Sequence, residues 1–217
     1  MNNKKICFIT SVNDELAYQE CLFYINSLHV PDGYSIETIA MRNSIGMCKA
    51  YNEASYNTDA KYKVYVHQDV FITNKYFIYD IIKIFGDIRI GIIGVCGTEK
   101  IPPSGIWWQG KELRGKVYES SSGKMRLLDF DLSNVEQKEV EGVDGLIIIT
   151  QYDIKWREDL FDGWHFYDIS QSKEFINKGL KVVIPRQDIP WCIHDCGIAN
   201  ISNGYEKYRQ MYINEYF

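Results

Sequence analysis

The chain has 217 residues, enough for one domain with a substantial core. With 46% hydrophobic and 24% charged residues it has the composition of a globular protein, which excludes a disordered or fibrous chain. A formal net charge of −5 speaks against nucleic-acid binding, which calls for a basic face.

Residues 5–10, Lys-Ile-Cys-Phe-Ile-Thr, form an apolar run that predicts a first strand, ended by Ser11-Val12-Asn13-Asp14. Leu16, Cys21, Leu22, Ile25 and Leu28 fall near helical spacing and predict a helix over 15–28, followed by a turn at Pro31-Asp32-Gly33. A second strand is expected over 34–41 and a second helix over 45–55, with Asn43 or Ser44 as its cap. A central strand follows over 62–67, then a helix over 74–85 and another buried strand over 90–96. Residues 97–123 are rich in Gly, Pro, Ser and Trp and read as a long loop with room for a short hairpin; such loops are usually functional or disordered. One or two antiparallel strands are expected in 125–141 and a strong strand over 143–150. A helix over 169–178, a strand over 181–184 and a C-terminal helix over 205–216 complete the order. Alternating apolar strands and helices predict a single α/β domain over 1–217, with a mainly parallel sheet flanked by helices and a small antiparallel addition.

The basic N-terminus is followed by too short an apolar run for a signal peptide, and no segment reaches the roughly 20 apolar residues of a membrane helix. The expectation is a cytoplasmic protein, in which the sequon Asn200-Ile201-Ser202 has no meaning. Six cysteines without a Cys-x-x-Cys pair read as free thiols. Cys192-x-His194-x-Cys196 offers three soft ligands, but no second ligand pair at finger-like spacing accompanies it. Gly105-x-x-x-x-Gly110-Lys111-Glu112 nearly matches a phosphate-binding loop. It fails because Glu112 replaces the metal-binding hydroxyl and Trp107-Trp108 crowd the backbone amides.

Three places carry chemistry. His67-Gln68-Asp69 ends the central strand, where ligands of open α/β sheets bind. A single carboxylate together with substrate phosphates is the usual way to hold magnesium or manganese. Phe161-Asp162-Gly163-Trp164-His165-Phe166-Tyr167-Asp168 interleaves aromatic platforms with two carboxylates; its bland alternative is a packing corner with Asp168 as a helix cap. His194-Asp195 offers an imidazole and a carboxylate late in the chain.

In this order the pieces resemble the GT-A glycosyltransferases of the family 2 type, especially the small bacterial glycosyltransferase-like branch, over most of the chain. The resemblance implies that Thr10, Ser11, Val12 and Asn13 form the loop holding the nucleotide base, and that the segment from Asn43 through Met47 to Asn52 lies beside it. The family's Asp-x-Asp metal motif falls on His67-Gln68-Asp69, so Asp69 carries over as metal ligand. His67 is a departure that weakens metal dependence, and His67 and Gln68 are assigned to the nucleotide. His194 matches the late histidine that adds a metal ligand. Tyr167-Asp168 falls where the family keeps its acidic pair, making Asp168 the expected catalytic base with Asp162 in reserve. Asp144, Trp164, His165, Trp107 and Trp108 are expected on the sugar and acceptor side.

The implied activity is inverting transfer of a sugar from a nucleoside-diphosphate donor, UDP favoured, to a saccharide or glycoconjugate. Manganese or magnesium assists, in the setting of bacterial polysaccharide assembly. The partners are then a nucleotide sugar and a saccharide acceptor, with peripheral membrane association left open. Two alternatives stand beside it: a non-catalytic glycosyltransferase-like binding protein, and a sugar nucleotidyltransferase. The second lacks the Gly-rich basic loop after the first strand.

Overall fold

The computed structural model describes residues 1–130, 135–198 and 202–217; Asn200 and Ile201 of the sequon, and residues 131–134 of the expected antiparallel stretch, lie outside them. The chain begins with β1 (Asn2–Val12), α1 (Glu15–Asn26), β2 (Ser35–Arg42), α2 (Met47–Tyr56), β3 (Ala60–Val66), β4 (Val70–Ile72) and α3 (Phe77–Ile84). It continues through β5 (Ile90–Gly94), β6 (Cys96–Thr98), a 3-10 turn (Trp107–Gln109), β7 (Leu113–Glu119), β8 (Arg126–Phe130), β9 (Gln137–Glu139) and β10 (Gly142–Val143). The last elements are β11 (Ile147–Thr150), α4 (Tyr167–Asn177), β12 (Lys181–Pro185), β13 (Cys192–His194) and α5 (Tyr205–Tyr216).

The larger sheet has seven strands in the order β2-β1-β3-β11-β5-β12-β9. β2, β1, β3, β5 and β12 run one way, while β11 and β9 run against them. β3 alternates across it. Tyr62 stacks on Phe85 behind α3, with ring centroids 5.7 Å apart, and Tyr65 meets Tyr51 of α2 on the opposite face at 4.8 Å. Strand β11 buries Ile147, Ile148 and Ile149 completely, each contributing about 2–3 kcal/mol of hydrophobic burial. Helix α1 starts where Asp14 accepts hydrogen bonds from the Leu16 and Ala17 amides, satisfying two of the open donors of its first turn.

The second sheet is larger than the expected addition. Its order is β10-β6-β7-β13-β4, with β8 paired to β7, and all its pairings are antiparallel except β13 with β7. The stretch 97–123, read as a long loop with room for a short hairpin, holds most of one, β6 with β7.

The chain passes between the two sheets at several places, and three of these crossings lie close together, each with a break in the strand. β3 passes to β4 at His67-Gln68-Asp69, β5 to β6 at Val95, and β10 to β11 at Asp144-Gly145-Leu146. The continuous strands expected over 90–96 and 143–150 are thus each split, because a chain cannot stay in two sheets without a bend. Glycines allow the close approach: a Cβ on Gly97 would lie 2.1 Å from the Gly142 carbonyl oxygen, and one on Gly94 would lie 2.4 Å from Val143. The crossings are tied together by His67 N–H donating to Leu146 O at 3.1 Å and Asp144 N–H to Cys96 O at 2.9 Å.

Two helix starts differ from expectation. Helix α2 is capped by Gly46, not by Asn43 or Ser44, since a Cβ at 46 would lie 2.2 Å from the Asp162 carbonyl oxygen. Helix α4 begins at Tyr167 behind Phe166, a buried non-glycine residue in the left-handed region at φ 63°, so Asp168 sits inside the first turn and is not the cap. No helix among the described residues is long and apolar enough to cross a membrane.

Candidate active site

Two clefts of about 260 Å³ each open along the seam where the sheets meet, and they share His67, Trp164 and Tyr167. The first is polar. Ser11, Asn13, Met47, Gln68 and Asp69 complete its lining. Gln68 acts there as a clamp: its Oε1 accepts from the Asn13 and Asp14 amides at 2.8 and 2.9 Å, and its Nε2 donates to Asn13 Oδ1. The loop after β1 is thereby fastened to the end of β3. Thr10 and Val12 are buried within β1 and do not reach this cleft. Asn43 lies outside its lining, exposed and left-handed at φ 57°. Asn52 exchanges two hydrogen bonds with the backbone of Trp156.

His67, which lines both clefts, Asp69 of the first and His194 of the second form the one grouping of three or more metal-ligating side chains among the described residues, with one ligand atom from each lying within 4.8 Å of the others. His194 reaches this place because β13 pairs with β4 and the Asp195 amide donates to Asp69 O at 2.9 Å. Cys192 is buried in the core and Cys196 is half-buried, so the Cys-x-His-x-Cys stretch gives its histidine to a different cluster. His194 Nε2 lies 3.5 Å from both Asp69 Oδ1 and His67 Nδ1, beyond a good hydrogen bond. Burial alone would raise the Asp69 carboxyl, but the two histidines beside it bring it down to about 2. Burial lowers His67, whereas on His194 the Asp69 carboxylate outweighs burial and raises the ring's proton affinity.

The second cleft is aromatic. Trp107, Trp108, His165, Phe166 and Tyr205 surround Asp144, Gly145, Asp168 and His194. Trp107 is buried and Trp108 is 48% exposed, its ring 5.8 Å from Tyr205. Asp168 keeps a little surface in the cleft, but its carboxyl is enclosed by protein. Burial first, then the facing Asp144 carboxylate, pushes it up to about 7, against the opposing hydrogen bonds from backbone amides. One of these is Gly145 N–H to Oδ2 at 3.1 Å. Asp162 lines neither cleft. Its side chain is 67% exposed and accepts from Tyr208 Oη at 2.6 Å and Lys207 Nζ at 3.4 Å.

Two lining residues hold places that the sequence reading did not assign them. Tyr167 spans both clefts and hydrogen-bonds His67 Nε2 through its hydroxyl; its position beside Asp168 was the available signal. Tyr205 closes the aromatic cleft from the start of α5, and nothing local in the sequence marks it.

The profile of a glycosyltransferase-like family matches residues 7–216. The chain belongs to this glycosyltransferase-like family. No curated protein sequence matches it. Among solved structures it is similar to mannosyltransferase PcManGT from Pyrobaculum calidifontis in complex with GDP-Man and Mn2+. That likeness has a TM-score of 0.57 and 10% identity, and covers 97% of this chain and 61% of that one. It is also similar to S. aureus TarS 1–349 in complex with UDP-GlcNAc, with a TM-score of 0.61, 12% identity, and 96% and 64% coverage. At these identities the likeness establishes the fold, which is GT-A. The chain spans about three-fifths of the length of those structures.

In this glycosyltransferase-like protein the His67–Asp69–His194 group suits a divalent cation. Asp69 Oδ1 is buried with no hydrogen-bond partner, which is costly for a carboxylate unless something else coordinates it. Two imidazole nitrogens and one carboxylate oxygen are also an ordinary donor set for a divalent ion.

Proposed function

We propose that the chain transfers a sugar, with inversion at the anomeric carbon, from a nucleoside-diphosphate donor to a hydroxyl of a saccharide or glycoconjugate, assisted by a divalent cation. The observation that carries this is the metal-ligating group that bridges a polar cleft and an aromatic cleft, with the enclosed carboxylate of Asp168 in the second. The polar cleft takes the donor: Ser11, Asn13 and Met47 bound the nucleoside, and Gln68 holds the loop of Asn13 in place.

No lysine or arginine lines either cleft among the described residues. The charge of the diphosphate would then fall to a cation, which Asp69, His194 and His67 would hold. When bound, this ion stabilises the charge that grows on the leaving nucleoside diphosphate. The aromatic cleft takes the acceptor. Trp108, Trp164 and Tyr205 offer ring faces to a sugar, and Trp107 anchors the loop from the core. Asp168 accepts the proton of the attacking hydroxyl, and a proton affinity near neutrality suits a general base. UDP is the favoured nucleotide, by family habit, and a bacterial glycan the favoured setting.

A melting-temperature titration with UDP, GDP, CDP and ATP, each with and without manganese, tests this reading. A ligand that binds only the folded chain must raise the transition. The expected result is a shift with one diphosphate that depends on manganese, followed by turnover of the matching nucleotide sugar. Binding without turnover for any acceptor tried would favour the non-catalytic alternative, for which His67 in place of the first metal-motif carboxylate is the supporting residue.

A further inference from the structure

Which cation the site takes depends on the departure at position 67. Magnesium demands near-octahedral oxygen ligands and gives up its water reluctantly, so it is held by carboxylates and substrate phosphates. Imidazole suits zinc, copper, iron and nickel better, and affinities for nitrogen-containing sites rise from manganese through cobalt. This site presents two imidazoles and a single carboxylate.

The histidines are also oriented for ligation. Tyr167 Oη lies 2.5 Å from His67 Nε2, which leaves Nδ1 as the ring nitrogen turned towards His194 Nε2, 3.5 Å away. A metal-bound histidine almost always gives its second N–H to an oxygen acceptor that fixes ring and tautomer. Tyr167 supplies that oxygen from a fixed post. It is only 4% exposed, and its hydroxyl sits where a Cβ on residue 145 would come within 2.0 Å, a position only Gly145 leaves free. His194 is fixed independently through β13, which pairs with β4 directly after Asp69.

We infer that the site selects a transition ion of the manganese, cobalt and zinc class over magnesium, that His67 ligates through Nδ1, and that Tyr167 is the positioning residue for that ring. The use of the ion in transfer rests on the function proposed above; its binding and ranking do not.

The test is direct binding to the nucleotide-free protein. Cobalt(II) is titrated while its visible absorption is followed, manganese(II) by loss of its free electron-spin resonance signal, and zinc(II) and magnesium(II) by competition against cobalt. The expected order is zinc and cobalt above manganese, with one ion per chain and magnesium displacing none of them at millimolar concentration. His67→Asp, which replaces an imidazole by a carboxylate, narrows the gap between manganese and cobalt. Tyr167→Phe keeps the ring and removes the oxygen, and weakens cobalt about 10–100-fold with a change in its absorption bands.

Magnesium competing on equal terms with cobalt in the unaltered protein overturns the selectivity, whatever the variants do. An unchanged cobalt affinity and spectrum in folded Tyr167→Phe overturns the positioning role. A clear ion ranking without binding of any nucleoside diphosphate leaves this inference standing and removes the transfer reading instead.

Discussion

The polar cleft is built mainly from short segments early in the chain, Ser11 and Asn13 at the end of β1, Met47 at the head of α2 and His67 to Asp69 at the end of β3, with Trp164 before α4 and Tyr167 at its start as the one distant wall. The aromatic cleft draws on residues from His67 to Tyr205, spread over six separate segments. The first is a product of strand ends, where the chain must leave the sheet and exposes side chains and amides together. The second exists only once the second sheet and α5 have folded against the first. A substitution in the polar cleft should therefore act on one ligand contact, whereas one in the aromatic cleft acts on both chemistry and packing.

Asp69→Asn gives the largest expected effect and the cleanest test of the polar side. It removes the only carboxylate of the metal group and several kcal/mol of charge stabilisation, so cation-dependent nucleotide binding and transfer both fall by about 1,000-fold. Retained manganese-dependent affinity, read by calorimetry, would refute its role.

Asp168→Asn comes next and separates the two clefts. Donor affinity stays, while transfer drops by about 10²–10⁴-fold, the usual worth of a general base. The same variant carries a stability signature. The carboxyl is raised from its ordinary 3.8 to about 7. The folded state thus keeps a proton that the unfolded chain releases, and stability falls as pH rises through that window. Asparagine has no proton to lose, so the variant melts higher than the parent at pH 8 and the two converge towards pH 4. For the parent enzyme, transfer should climb through about pH 7 as Asp168 ionises. A pH-independent difference in melting temperature would show that Asp168 is an ordinary carboxylate.

The tryptophan pair sharpens the comparison at smaller magnitude. Trp108 is half exposed and stacks at the rim, so Trp108→Ala should raise the acceptor KM by about 5–10-fold, the equivalent of about 1 kcal/mol, with the donor KM and melting temperature unchanged. Trp107 is buried, and Trp107→Ala should instead cost about 3 kcal/mol or more of stability by leaving a cavity. If Trp108→Ala weakens the donor, the assignment of the two clefts is reversed.

Most elements of the larger sheet were legible because β1, β3, β5 and β12 each hold an apolar stretch, over 6–9, 64–66, 90–93 and 182–184, the signature of strands buried on both faces. What sequence could not reveal was where those runs change sheets. Val143 and Ile147 look alike as strand formers, yet Asp144-Gly145-Leu146 between them turns the chain from one sheet to the other. Strands β4 and β13 are three residues each, below the length at which periodicity can be read, and they are the pair that brings His194 to Asp69. His194 was reached through family resemblance, Tyr167 was read only as the aromatic neighbour of Asp168, and Tyr205 only as the start of the last helix. Tertiary neighbours with no local pattern are the part of a site that composition and spacing do not encode.

Asp162 is the smallest effect and the sharpest check on how the aromatic stretch works. Its carboxylate points away from both clefts, two-thirds exposed, towards Tyr208 and Lys207, and Tyr208 can donate equally well to an amide oxygen. Its backbone is what the fold uses: the carbonyl oxygen of Asp162 sits where Gly46 leaves room, and the next carbonyl, of Gly163, accepts from the Met47 amide at 2.9 Å, docking α2 beside the polar cleft. Asp162→Asn should accordingly keep transfer within about twofold and change stability by no more than about 0.5 kcal/mol, as for an ordinary surface exchange. A loss comparable to that of Asp168→Asn would move the catalytic base to Asp162. The loop would then have to turn its exposed carboxylate into the cleft when acceptor binds, and the division of labour between the two clefts would fail with it.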